Sequence, residues 1–462
     1  MCEHAVHVAL LPNAGMGHLI PFLRLADLLV HHSCRVTLIT AKSTVSLAES
    51  ELLSRFESSF PQINRVDFDL LPFDPTTANS NDPFWLRWES VRRSAHLLIP
   101  VLSSISPPLS AFVYDMTLIS PMIPVTEALC LQSYILFTSS ARMFSLYSYF
   151  PCVADGATSA SDVLEIPGIS PVPTSSIPPL LLVPNSLFGK ICTEDGRKLR
   201  NLNGVLVNTF EELEAESIEA LKLRDGLPPV FALGPFMPCE FEKLKANDGD
   251  ANSPLKWLNG QPQDSVVYVC FGSRTAMKRE QIREMGDGLL KSGCRFLWVV
   301  KVKIVDRKEE EELEQVVGEE LMKGLKEKGL VVKTWVDQRE ILGHPSVGGF
   351  VSHCGWNSVI EAAWYGVRVL AWPQHGDQKI NAEVVERSGL GMWQKDWGWG
   401  GEQMVKGEEI GKAIKEIMSN ESLKNSAFSV KETARKAVGV GGSCETNLER
   451  LIEEWKDKDR NI

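Results

Sequence analysis

Short, continuous apolar runs alternate along this chain with stretches whose apolar positions recur every three to four residues. In the first half VHVALLP (6–12), RVTLIT (35–40), AFVYD (111–115) and YILFTS (134–139) predict strands, and LIPFLRLADLLV (19–30) predicts an amphipathic helix. In the second half VVYVCFGS, RFLWVV, LVVKTW, GGFVSH and VRVLAWP predict strands in the same way. Strands that are apolar throughout, separated by amphipathic helices, are those of parallel sheets covered on both faces. The expected fold class is α/β, two doubly wound domains facing a cleft. The acidic run RKEEEELEQ (307–315) predicts a solvated helix or loop.

Composition locates the boundary between the halves. Residues 1–240 hold 22 of the 26 prolines and 39 of the 107 charged side chains, and residues 241–462 hold the remaining 4 and 68. The polar stretch around FMPCEFEKLKANDGDANSPL reads as the join. The expected division is an N-terminal domain 1–240, a linker 241–255 and a C-terminal domain 256–445. A last helix, 446–462, is expected to pack back on the first domain. The net charge of −11 argues against a nucleic-acid or anionic-membrane partner, either of which would need a basic face. Ten cysteines without C-x-x-C spacing read as reduced thiols, and no apolar run is long enough for a signal peptide or a membrane span. The expected location is cytoplasmic.

Ligands of open α/β sheets bind beyond the carboxyl ends of the strands. In the second half those ends carry Gly272-Ser273, Trp335 with Val336 and Gln338, His353 leading into HCGWNS, and QHGDQ with Asp377 and Gln378. Gly355 permits a sharp turn, after which Asn357 and Ser358 open a helix whose free N–H groups suit a diphosphate. His353 can donate to the same phosphates, Glu361 lies one turn on and can take two ribose hydroxyls, and Trp335 offers a stacking face for a base. Singly, each of these is more often structural than ligand-binding, Asn-Ser at a helix start being usually a cap and a lone Trp usually core. The first half places His18 at a strand end and helix start, and Asp115 at another strand end. A helix N-terminus disfavours the imidazolium, so His18 would be neutral and able to take a proton, with Asp115 orienting it. Residues alone leave this open against a capping histidine and a surface carboxylate. NAGMGH is not a dinucleotide fingerprint, because Ile20 stands where the third glycine belongs. No G-x-S-x-G elbow supplies a hydrolase serine.

The 44 residues WVDQREILGHPSVGGFVSHCGWNSVIEAAWYGVRVLAWPQHGDQ resemble the signature box of plant UDP-dependent glycosyltransferases of secondary metabolism. The resemblance implies two Rossmann-like domains of the GT-B type, with the donor held mainly by the second. It implies Trp335 stacking on uracil, the Val336 backbone bonding it, and Gln338 and Glu361 at the ribose. Ser273, His353, Asn357 and Ser358 would hold the diphosphate, and Trp356, Asp377 and Gln378 would meet the sugar. A terminal Gln in this box goes with glucose donors. Asp337 and Arg368 replace common prolines of the box. His18 and Asp115 match the family's base and its partner. DPFWLRWESVRRSAHLL, YDMTLISPMIPVTEAL, LFTSSARMFSLYSYFP and SSIPPLLL further resemble the subgroup that makes aryl C-glucosides of flavonoid precursors. The expected activity is inverting transfer of glucose from UDP-glucose to an aromatic carbon of a 2-hydroxyflavanone, dihydrochalcone or acyl-phloroglucinol, with no metal or other cofactor. The partners expected are a small-molecule acceptor and the UDP-sugar. O-glucosylation of phenolic hydroxyls is the alternative, and a non-catalytic flavonoid-binding protein the distant one.

Overall fold

The structure, a computed structural model, describes residues 5–77, 80–157, 162–242, 253–301, 312–333 and 336–459. Its strands, in chain order, begin with β1 (His7–Leu11), β2 (Arg35–Ala41), β3 (Asn64–Phe68), β4 (Ala111–Asp115) and β5 (Gln132–Phe137). A small antiparallel hairpin, β6 (Val163–Leu164) and β7 (Val172–Pro173), precedes β8 (Gly204–Val207) and β9 (Val230–Ala232). Then come β10 (Val266–Cys270), β11 (Arg295–Val299), β12 (Gly329–Val332), β13 (Val347–Ser352), β14 (Arg368–Ala371) and β15 (Gly391–Trp393). Contacts divide the chain into two units, Met1–Phe241 together with Lys436–Ile462, and Glu242–Arg435.

The first unit is built on a parallel sheet in the order β3-β2-β1-β4-β5-β8-β9. Every residue of β1 and of β4 is buried, which is why these strands show no polar alternation. The helix Met16–His31 places Leu19, Phe22, Leu23, Ala26 and Leu29 on one stripe, at the three-and-four spacing that predicted it. That stripe joins Val8, Leu10, Val36 and Leu38 in one core, together with Leu448, Leu451, Ile452 and Trp455 of the helix Ser443–Asp459.

The second unit carries a parallel sheet in the order β12-β11-β10-β13-β14-β15. Its core gathers Val267, Val269, Phe296, Trp298, Val351 and Leu370 from the strands with Ile410, Ile414 and Ile417 of the helix Gly407–Ser419. In both sheets the order runs outward from one strand, then returns past it to run the other way. This is the Rossmann-like, doubly wound topology, with one reversal point per sheet.

Strands β3, β8, β9 and β15 were not anticipated from apolar runs. β3 reads NRVDF and is only part-buried at the sheet edge, while β8, β9 and β15 are three or four residues long. Of the acidic run, residues 307–311 lie outside the described set. Leu313–Val317 is a helix opened by a capping box at Glu312. Most of the expected linker, 243–252, also lies outside the described residues. No helix among those described is long and apolar enough to cross a membrane.

Candidate functional site

In the first unit the order reverses between β1 and β4, whose ends pair in register at Leu11 and Tyr114. The chain leaving β1 turns at Gly15, whose φ of 109° is one that residues with a side chain rarely adopt. Gly15 N–H donates to Glu49, the capping-box residue of the helix Leu47–Ser59, so a second element pins the turn. His18 follows as the third residue of its helix, its backbone N–H donating to the Gly15 carbonyl at 2.9 Å. Its Nδ1 lies 2.7 Å from Oδ2 of Asp115, the last residue of β4, which is fully buried. An ionised carboxylate only accepts, so this contact places the proton on Nδ1 and leaves the Nε2 lone pair available. Asp115 Oδ1 accepts from the Thr117 N–H at 3.0 Å and the Thr117 hydroxyl at 2.6 Å. Asn13 Nδ2 in turn donates to that hydroxyl at 2.8 Å. With both its oxygens engaged, the carboxylate has one orientation.

An aromatic row starts at the imidazole. Trp88 meets His18 edge to face at 4.6 Å between centroids, Trp85 meets Trp88 at 4.4 Å, and Phe188 meets Trp85 at 4.7 Å. Trp88 is locked by its indole N–H, which donates to the Ala14 carbonyl at 2.8 Å. A separate cavity of about 380 Å³ has Glu89, Arg92, Arg93, Lys190 and Glu194 among its walls and neither His18 nor Asp115. Those charged walls do not suit a flat aromatic ring.

In the second unit the reversal lies between β10 and β13, with β14 beside β13. Cys270, Ser352 and Ala371 stand level across the three strands, so the segments that follow them emerge side by side. These segments carry Ser273, His353 and the 374–378 loop. His353 is packed closely enough that a Cβ on Gly272 or on Gly355 would stand 2.5 Å from its Nε2. Gly272 also has φ of 74°, so glycine is needed there twice over. Burial, and then nearby His375, pushes the His353 imidazole down to about 3, which keeps it neutral. Its Nδ1 and Asn357 Oδ1 are buried and find no hydrogen-bond partner among the described residues. Buried polar atoms left unmatched cost about 1–3 kcal/mol each, so a polar ligand is the natural partner here.

Gly355 opens the helix Trp356–Tyr365 without a side-chain cap. The Trp356 side chain is buried, so at the helix start Trp356 offers its backbone N–H. Gln338 Nε2 donates to Ser358 Oγ at 3.0 Å and to Glu361 Oε2 at 2.8 Å, which gathers three of the expected residues. Gln378 Oε1 accepts from the N–H groups of Gln374 and His375 at 2.8 and 2.9 Å, so that oxygen shapes its own loop. Asp377 Oδ2 accepts from Asn381 Nδ2 at 2.9 Å. The Ser273 carbonyl accepts from Lys301 Nζ. Val336 is buried at the start of the box, and Trp335 lies outside the described residues.

A family profile described as UDP-glucoronosyl and UDP-glucosyl transferase matches residues 229–434. The chain is 56% identical over 460 residues to UDP-glycosyltransferase 708G2 of Citrus unshiu, covering 97% of this chain and 96% of that one. The chain belongs to the plant UDP-glycosyltransferase family. It is also 48% identical over 458 residues to UDP-glycosyltransferase CGT of Oryza sativa subsp. japonica, covering 97% of this chain and 96% of that one. A crystal structure of LpCGTa in complex with UDP superposes with a TM-score of 0.87 at 46% identity, covering 98% of this chain and 99% of that one. The glycosyltransferase therefore has the GT-B arrangement of two Rossmann-like sheets and uses a UDP-sugar donor.

Several residues that shape this glycosyltransferase's sites carry no local signal. Asn381 bridges the loops that follow β13 and β14, its Nδ2 reaching Cys354 O at 3.1 Å as well as Asp377. Thr117 and Asn13 order Asp115 from positions that no spacing rule connects. Of the two departures from the family box, Arg368 is buried and binds Gly348 O, Met418 O and Asp264. Asp337 caps the helix Gln338–Leu342, accepting from the N–H groups of Arg339 and Glu340. Asp337→Ala is expected to lower stability by about 1 kcal/mol, the usual worth of such a cap. A urea titration showing an unchanged midpoint would contradict that role.

Proposed function

We propose that this glycosyltransferase moves glucose, with inversion, from UDP-glucose to an aromatic carbon of a flavonoid-type acceptor such as a 2-hydroxyflavanone, dihydrochalcone or acyl-phloroglucinol. The observation that carries the chemistry is the 2.7 Å contact between His18 and buried Asp115 at the reversal point of the first sheet. His18 Nε2 takes a phenolic proton, and Asp115 stabilises the imidazolium so formed. The phenolate pushes electron density onto the ortho carbon, which attacks the anomeric carbon as the bond to UDP breaks. The ring carbon then gives up its hydrogen as a proton to solvent or the departing diphosphate, His18 returns its proton to the phenolic oxygen, and aromaticity returns. One displacement at an α-linked donor yields a β-glucoside. The aromatic row of Trp88, Trp85 and Phe188 suits the acceptor's flat rings.

On the donor side Ser273, His353, Asn357 and Ser358 are assigned to the diphosphate, where open N–H groups at the start of Trp356–Tyr365 meet the leaving group's charge. Gln338 and Glu361 are assigned to the ribose, Trp335 and Val336 to the uracil, and Trp356, Asp377 and Gln378 to the sugar. Every role is filled by a side chain or backbone group, so the proposal needs no metal. Carbon is preferred to oxygen because two similar proteins carry CGT in their names; the base pair itself would serve either bond. The test is incubation with phloretin and UDP-glucose. One added hexose with β anomeric coupling is expected, and an α product would remove the single-displacement mechanism.

A further inference from the structure

Behind the His18–Asp115 pair lies an ion cluster, with Arg92 and Asp195 buried and Glu194 exposed, that the transfer chemistry does not call on. Arg92, in the helix Pro83–Arg93, donates from Nη1 to the Thr117 carbonyl at 2.5 Å and to Asp195 Oδ2 at 2.8 Å. Its Nη2 donates to Glu194 Oε2 at 3.0 Å. Asp195 is fully buried in the helix Leu187–Lys198, and its Oδ1 accepts from the Ser120 N–H at 2.8 Å. Burial raises the Asp195 carboxyl to about 6, so at neutral pH it stands ionised beside the guanidinium. Two segments distant in sequence thus close on one stretch of chain, the short turn Met116–Leu118 held at the Thr117 carbonyl by Arg92 and the start of the helix Ile119–Ala128 held at the Ser120 N–H by Asp195.

That turn is what aims Asp115. The same Thr117 whose carbonyl Arg92 holds fills Asp115 Oδ1 with its N–H and its hydroxyl, leaving Oδ2 for His18. We propose that Arg92, clamped by Asp195, is a positioning residue that acts through Thr117 to hold Asp115 against His18. A guanidinium is required because a planar fork reaches a carbonyl and two carboxylates at once, which a lysine ammonium on a flexible stem does not. Burying this ion pair is a poor route to stability alone, since apolar replacements of such pairs are often neutral. A geometric duty at the base pair accounts for its place.

The inference rests on the reading of His18 and Asp115 as base and partner, and the test separates the two. Arg92→Lys is compared with wild type on phloretin and UDP-glucose, beside Thr117→Val and the double variant. The expected result is a kcat lower by roughly tenfold or more with KM for UDP-glucose unchanged, since misplacement near the chemistry costs rate. The double variant should lose less than the product of the single losses, because both act on one chain of contacts. The NMR signal of the His18 Nδ1 proton, assigned by its absence in His18→Asn, should shift or vanish in Arg92→Lys. Should Arg92→Lys fail to fold, Asp195→Asn keeps the cluster's shape and is expected to give the same kcat loss and the same signal change. A normal kcat, or a reduced kcat with multiplying losses and an unmoved His18 signal, overturns the proposal. A fully active His18→Ala would instead overturn the base assignment beneath it.

Discussion

His18→Ala is expected to lower turnover by roughly 10²–10⁴-fold, the range a positioned general base supplies. The reason lies in what surrounds the ring. Asp115 holds Nδ1, Trp88 packs edge to face against the imidazole, and Gly15 sets the helix start, so the variant loses a base that is fixed in place. UDP affinity should stay at its wild-type value, because the residues assigned to the nucleotide all belong to the other unit. Steady-state rates on phloretin, with UDP binding measured by calorimetry, check both halves of the expectation. A variant that turns over phenols at near-normal rates would show that the base lies elsewhere.

Glu361→Ala is expected to weaken UDP by one to two decades. Glu361 is buried one turn beyond Asn357, and Gln338 Nε2 holds one of its oxygens at 2.8 Å. A carboxylate held in this way can take ribose hydroxyls, and hydrogen bonds to a charged group contribute about 1.5–3 kcal/mol. That range corresponds to roughly 10- to 150-fold in affinity. Calorimetry on the folded variant gives the answer directly. An unchanged dissociation constant for UDP would mean that Glu361 serves only to anchor Gln338.

The expectations held where a single element carried its own signal. β1, β4, β10 and β13 are buried on both faces, so their apolar runs are unbroken and their ends can be read from the sequence. Reading strand ends was enough to single out Ser273, His353, His18 and Asp115, because parallel order puts those ends beside one another at the two reversal points. Edge strand β3, with Asn64, Arg65 and Asp67 among its five residues, gave no such run. What stayed hidden are contacts between residues about a hundred positions apart. Arg92 to Asp195 and Asn13 to Thr117 are of this kind, and only the folded sheet brings them together. A local contact stayed hidden too, at Gln374, which donates its backbone N–H to Gln378 while its side chain binds the Trp372 carbonyl. Loop geometry of that sort follows from packing, and no periodicity announces it.

The bond proposed for the product joins sugar to carbon. An aryl C-glucoside has no bridging oxygen for acid to protonate, so the ordinary route of glycosidic cleavage is closed to it. The deciding measurement is proton NMR of the phloretin product before and after hot acid. One aromatic ring proton fewer than in phloretin is expected, replaced by the sugar on carbon, in a product that survives the acid intact. A full set of ring protons, with aglycone and free glucose released by acid, would make the enzyme an O-glucosyltransferase and contradict the assignment.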